Sequence, residues 1–195
     1  MATITALRAA RPGRVAVELD GEPWRTIPAE AVLRAGLTAG RVLDRPRARL
    51  LRRELRRLEA LAAAGKALRG RDLAVAELAS RLERAGVAPA PRAETLAVLD
   101  RAGLVDDRRF ASDRAESLAE RGYGDAWIRW DLERRGVAAD VAEDAIARLE
   151  GEGARIARIV AERGGGPRTV RTLARRGFGE EAVEAAANAP VAGEG

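Results

Sequence analysis

This chain of 195 residues contains no cysteine and no histidine. The first absence excludes disulfides and thiolate nucleophiles. The second removes the imidazole on which most acid–base sites and zinc centres depend. Carboxylates remain, but no segment has the ligand spacing of an EF-hand or a DxD cluster. The glycine-rich stretch "RGGGPRT" at 163–169 lacks the Gly-Lys-Ser/Thr ending of a phosphate-binding loop. Neither catalysis nor a bound cofactor or metal is expected. Apolar runs are short, and none approaches the roughly 18 residues that span a bilayer. The N-terminus shows no signal-peptide pattern. The expected location is the cytoplasm, with no membrane partner.

Aromatics are also scarce, at 3%, so a core must be built mainly from Leu, Val, Ile and Ala. The abundant residues are Ala, Leu, Arg and Glu, whose side chains lose little freedom in a helix. The net charge of +5 and an isoelectric point near 10.8 favour anionic partners. Lysine occurs once, at Lys66, so the positive charge is almost entirely arginine.

Residues 1–44 read differently from the rest. "RVAVEL" at 14–19 alternates apolar and polar side chains, as a strand with one buried face does. Asp20-Gly21 marks a tight turn into "EPWRTI", and "TITALRAA" at 3–10 can pair across "RPGR". The expectation is a β-ribbon of two or three strands. A short helix opened by Pro28 follows, then a connector, "LTAGRVLD". Beyond it the apolar period is helical. Helices are expected over 46–64, 72–85 and 91–102, over 107–121, 125–135 and 138–150, and over 154–163, 167–176 and 179–188.

One short phrase closes the second helix of each of these groups: "LERAGV" at 82–87, "LERRGV" at 132–137 and "LARRGF" at 173–178. Gly86, Gly136 and Gly177 stand where a helix ends in a left-handed residue. The apolar residue after each folds back onto the leucine five positions earlier. The same grammar occurs at Gly36, Gly103 and Gly122. Its return at a fixed place in each group marks tandem three-helix repeats. The expected fold class is mainly α, with these repeats forming an elongated curved array and a small β-ribbon at the N-terminus. The expected divisions are 1–44 for the ribbon and short helix, 45–104, 105–152 and 153–190 for the repeats, and 191–195 for a disordered tail.

The middle repeat opens with "LVDDRRFA" at 104–111 and continues with "RGYGDAWIRWDLERRGV" at 121–137. This pairing resembles the RecX family of bacterial RecA regulators. The resemblance rests on Asp106, Asp107, Phe110, Ala111, Arg121, Gly122, Tyr123, Gly124, Ile128, Arg129, Leu132 and Gly136. The chain departs from the family pattern at Asp113-Arg114-Ala115, where a bulkier side chain is expected, and at Asp125, where proline is common. The resemblance implies a non-enzymatic, monomeric regulator that binds RecA filaments, with single- or double-stranded DNA as a further partner. Such a regulator would inhibit recombinase, ATPase and coprotease activity in DNA repair and the SOS response.

Asp106 or Asp107 is read as a helix cap, an acid/base pair being the poorer alternative for want of partner chemistry. Phe110, Ile128 and Leu132 are read as packing residues, and Gly122 and Gly124 as setting the turn around Tyr123. Trp127 and Trp130 flank Ile128, and each is either core or a stacking surface. Arginines carry the functional expectation. Arg49, Arg52, Arg53 and Arg56 share one helical face opposite Leu51, Leu55 and Leu58. Residues 45–57 hold seven Arg and one Glu, and 154–178 hold the same, a net of +6 in each. Arg129, Arg168, Arg171, Arg175 and Arg176 complete the expected partner-binding arginines. The plain alternative is a solvated polar face and, for Arg84, Arg134 and Arg175, interaction with a helix C-terminus. Two other functions remain open: a general nucleic-acid-binding repeat protein that competes for DNA, and a helical scaffold.

Overall fold

The computed structural model describes residues 2–187; the tail expected at 191–195 and the last positions of the third repeat lie outside the described residues. Strands β1 (Ala2–Arg11), β2 (Arg14–Leu19) and β3 (Glu22–Pro28) form an antiparallel meander, followed by helix α1 (Ala29–Arg34). A fourth strand, β4 (Val42–Leu43), adds to the free edge of β1 by pairing Leu43 with Ala2 and Val42 with Thr3. The sheet order is therefore β3-β2-β1-β4. The connector at 37–44 thus becomes a strand by meeting β1, since two residues are too few to carry a period. At the β2–β3 turn Asp20 and Gly21 both have positive φ, +50° and +88°. Two-residue hairpins favour such a turn because its twist matches that of the strands.

The remaining chain is helical: α2 (Arg45–Leu68), α3 (Val75–Arg84), α4 (Pro89–Arg101), α5 (Asp107–Glu120), α6 (Asp125–Arg134), α7 (Ala139–Ala147), α8 (Glu152–Arg163), α9 (Pro167–Arg175) and α10 (Glu180–Ala187). These form three-helix repeats that follow the small sheet along the chain. No described helix is long and apolar enough to cross a membrane. Two compact bodies divide the chain: Met1–Arg69 with Arg81–Val98, and Gly70–Ser80 with Leu99–Gly195.

In the first body Ile4, Val17 and Ile27 from the sheet meet Val32 of α1 and Leu51 of α2, with Leu55 and Leu58 beside them. Asp44 caps α2, its carboxylate accepting from the Arg47 N–H at 2.8 Å. Glu54 is buried on the inner side of α2, where Arg57 donates to it at 2.9 Å and reaches Glu30 of α1 as well. These contacts fix the rotation of α2, and the Leu51 stripe faces inward.

The second body has an aliphatic core with few rings. Phe110, Leu118, Ile128, Leu132, Val137 and Ile146 pack with small alanines, and a satellite cluster joins Ile156, Leu173 and Phe178. Two joints between successive repeats share one plan. The Asp107 carboxylate accepts from the N–H of Val75, the first residue of α3, at 2.8 Å. Glu152, the first residue of α8, accepts from the N–H of Asp125, the first residue of α6, at 2.6 Å. Each acid thus satisfies an orphan helix donor in the preceding repeat and meets its positive end. In each joint the glycine that closes the second helix of the later repeat, Gly136 or Gly177, completes the contact. A Cβ on Gly136 would collide with the Ala76 methyl, and one on Gly177 would stand 2.6 Å from the Trp127 nitrogen.

Candidate functional site: the arginine face of the long helix

Arg49, Arg52, Arg53 and Arg56 are all exposed on α2, at positions i, i+3, i+4 and i+7. That spacing keeps them on one side of the helix while Leu51 and Glu54 face the core. Within the first body they line a groove of about 410 Å³, whose other wall is the start of α4: Ala90, Pro91 and Glu94. Arg52 donates to the carbonyl of Ala48 at 3.1 Å, and Arg53 approaches Glu94 at 3.5 Å. Arg49 and Arg56 make no hydrogen bond or ion pair among the described residues. Glu94 is the sole carboxylate in the lining, and the first turn of α4 contains no acidic side chain. The α4 dipole therefore adds positive potential to that of the arginines. The charged side chains of the groove are thus four arginines and one glutamate, set around the small apolar wall of Ala90 and Pro91.

The second basic zone has the same net charge and a different arrangement. Arg155 is buried, with 2% of its surface exposed; it donates to the Tyr123 carbonyl at 2.9 Å and pairs with Asp125. Arg158 pairs with Glu150 at 3.1 Å. Arg176 donates to the carbonyls of Arg121 and Gly122 at 3.0 and 3.2 Å, tying the end of α9 to the end of α5. Its guanidinium also lies 5.5 Å from the Tyr123 ring centroid. Arg163, Arg168 and Arg176 line a recess of about 280 Å³ with Thr169 and Thr172. Arg171 and Arg175 are exposed outside that lining. Charge that is contiguous on α2 is here interrupted by arginines engaged in holding repeats together.

Around the central motif, Asp106 caps α5 by accepting from the N–H groups of Arg108 and Arg109 at 2.9 and 3.1 Å. The Arg109 N–H bond is the main influence holding its carboxyl below the ordinary aspartate range. Both aspartates of the pair are thus occupied at helix N-termini, one in its own repeat and one in the repeat before. Gly122 has φ of +76°, which sets the turn. Gly124 has no such φ; its role is close approach, because a Cβ there would collide with the Gly177 carbonyl oxygen. Its N–H donates to the Arg176 carbonyl at 2.8 Å.

Ile128 and Leu132 are fully buried, and Phe110 is nearly so. Arg129 is engaged with Glu143 through both guanidinium branches, and this hydrogen-bonded pair holds the Glu143 carboxyl down. Arg114, at the position where a bulkier residue is expected, grips buried Asp131 with two bonds of 2.8 and 3.2 Å. The two tryptophans divide. Trp127 is half-buried and stacked on Tyr123 at 4.2 Å between ring centroids, whereas Trp130 is 50% exposed.

Sequence reasoning assigned no role to Arg163 or to the α4 wall of the first groove, and it read Arg121 as a motif residue and Arg134 as a helix-end charge without placing them over the rings of Tyr123 and Trp130. Arg121 belongs to the quoted motif, but nothing in a linear pattern shows which ring a guanidinium will cover. The α4 wall has a faint signal, the Pro89–Pro91 start that leaves its first turn free of acids.

Comparison with known proteins bears on the central motif and on the fold. Residues 106–146, which hold α5 and α6 and most of α7, match the model of the RecX second three-helix domain. Among curated relatives, the regulatory protein RecX of Chromohalobacter salexigens is 41% identical over 92 residues, covering 47% of this chain and 59% of that protein. The regulatory protein RecX of Deinococcus radiodurans is 36% identical over 113 residues, covering 58% and 53%. The chain spans little more than half the length of the curated relatives it matches. In fold it is similar to a crystal structure of a regulatory protein RecX, with a TM-score of 0.78 at 18% identity over 94% of this chain and 98% of that one. RecX from Lactobacillus salivarius gives a TM-score of 0.60 at 16% identity over 67% and 94%. In its central domain, over about half the length of the curated relatives and in its fold, this chain is similar to the RecX family of regulatory proteins.

Proposed function

We propose that this protein is a non-enzymatic regulator that binds RecA–DNA filaments and inhibits their recombinase, ATPase and coprotease activities. The observation that carries the reading is the α2–α4 groove, with four exposed arginines against one exposed carboxylate. A filament presents phosphate and acidic protein surface together. A row of guanidinium groups carried on one helix face, about two turns long, can engage both. Arginine binds phosphate and carboxylate in the same forked geometry. The exposed Arg168, Arg171 and Arg175 supply a second surface of the same sign.

The test replaces Arg49, Arg52, Arg53 and Arg56 together with Gln. Long helix-compatible side chains are retained and the Leu51 stripe is untouched, so the fold survives. Inhibition of RecA-driven ATP hydrolysis and strand exchange should weaken. If the face binds single-stranded phosphate, the slope of log K against log salt should fall by about 0.7 for each phosphate no longer neutralised. A companion variant at Arg168, Arg171 and Arg175 tests the second zone, leaving Arg176 to its structural bonds. Two folded variants that inhibit like the parent would exclude the reading. Equal affinity for naked DNA and for the filament at the same salt would replace it with the competitor reading, in which RecA is affected only through DNA.

A further inference from the structure

Three of the chain's six aromatic residues fall within eight positions, at Tyr123, Trp127 and Trp130. They form a continuous strip that runs from the turn before α6 along one side of that helix. Tyr123 and Trp127 stack at 4.2 Å with 25° between planes, and Trp127 and Trp130 follow at 5.7 Å with 55°. Arg121 sits 5.5 Å from the Tyr123 ring at one end, and Arg134 sits 4.8 Å from the Trp130 ring at the other. Packing accounts for the inner part of this strip. Trp127 lies against Gly177 in the joint between repeats, and Arg176 of the same joint covers Tyr123. Packing does not account for Trp130, half of whose surface faces solvent in a protein so poor in aromatics. Nor does it account for Arg121 and Arg134, both exposed and neither in an ion pair among the described residues.

We infer that this strip is a base-stacking site for single-stranded nucleic acid, with Trp130 as the outer platform. A flat, exposed indole extended by a second ring offers the surface on which unpaired bases stack, whatever their sequence. Terminal guanidinium groups answer the flanking phosphates and can themselves stack on bases. The site is separate from the α2 groove and goes beyond the proposed function, since it needs no RecA. Its electrostatics differ as well. Arg129 is neutralised by Glu143, Asp131 by Arg114 and Arg135, and Asp125 by Arg155, while exposed Glu133 lies beside Arg134 in sequence. Segment 121–134 therefore carries three Arg against three acids, and stacking rather than charge must supply its affinity.

That balance gives the test. The intact protein is titrated, without RecA, with a labelled oligothymidine and with the same strand carrying abasic sites. The expected result is weaker binding of the abasic strand and a loss of about tenfold for intact DNA in Trp130→Ala, the order of one base–aromatic stack. The salt slope should change little, and Trp130→Phe should retain most of the affinity. In Trp130→Ala the preference for intact over abasic DNA should shrink. The inference is overturned if the parent binds both strands equally or neither. It is also overturned if Trp130→Ala weakens filament binding while leaving oligonucleotide binding unchanged, which would assign the strip to a protein partner. Failure of the arginine variants leaves this result untouched, because the two tests change different surfaces.

Discussion

Gly86, Gly136 and Gly177 close three helices with the same backbone, φ of +79°, +83° and +76°, yet their surroundings are not alike. In each, the next residue donates to the leucine five positions back: Val87 to Leu82, Val137 to Leu132 and Phe178 to Leu173, at 3.0–3.3 Å. Among the described residues nothing stands within 4 Å of a Cβ built on Gly86. Gly136 and Gly177 are each pressed against the start of the second helix of the preceding repeat. The residue before each glycine follows suit. Arg135 binds Asp131 and Glu77, and Arg176 binds two carbonyls, whereas the first copy has Ala85 there. One local signal therefore serves as a plain helix stop in the first body and as a joint in the second. A repeated phrase identifies the turn, while its neighbour decides what the turn is for.

The largest loss of stability is expected for Gly177→Ala. The new methyl meets the Trp127 backbone, which cannot rotate away, on top of the left-handed strain common to all three sites. Strain of about 1–2 kcal/mol and overpacking of about 1–3 kcal/mol give an expected loss of roughly 3 kcal/mol. Gly136→Ala should follow closely, since the Ala76 methyl it meets is also fixed to a helix backbone. Chemical denaturation of both variants measures this, and a loss no larger than at Gly86 would remove the joint.

Asp131 tests the same joint by pH. Burial raises its carboxyl pKa, but hydrogen bonds from Arg114 and Arg135 outweigh that and hold it below the ordinary value of 3.8. A carboxylate with a depressed folded pKa contributes stability that is complete above its unfolded pKa and is lost as pH falls through the folded one. Asp131→Asn should therefore cost about 2 kcal/mol near neutrality, the order of a charge-assisted hydrogen bond. The gap to the parent should close in acid below 3.8. Denaturation midpoints at pH 7 and pH 3, conditions chosen to bracket an ordinary carboxylate of about 3.9, read the difference; a gap that stays constant would mean the acid is not ionised in its pair.

Gly86→Ala should have the smallest effect, about 1 kcal/mol, because only the backbone conformation resists it. A loss in the denaturation midpoint matching that of Gly177→Ala would show that the strained turn alone explains all three sites.

Much of the fold is legible along the chain. Apolar period places the helices within a few residues, glycine and its following apolar residue mark where they stop, and alternation at 14–19 marks the sheet. These signals act over about five residues, a distance within which sequence neighbours are also spatial neighbours. The rotation of α2 was legible for the same reason: Arg49, Arg52, Arg53 and Arg56 cannot share a face with Leu51 and Leu55. Tertiary structure decided the rest. The adjacent pair Arg175 and Arg176 is indistinguishable in sequence, yet one is exposed and the other ties α9 to the Arg121 and Gly122 carbonyls. The pair Asp106 and Asp107 likewise caps two different helices. Gly124 owes its small size to Gly177, 53 positions away. Which guanidinium is free, which carboxylate is shared and which glycine is a joint depend on segments that meet only when the repeats stack, and no local pattern encodes that meeting.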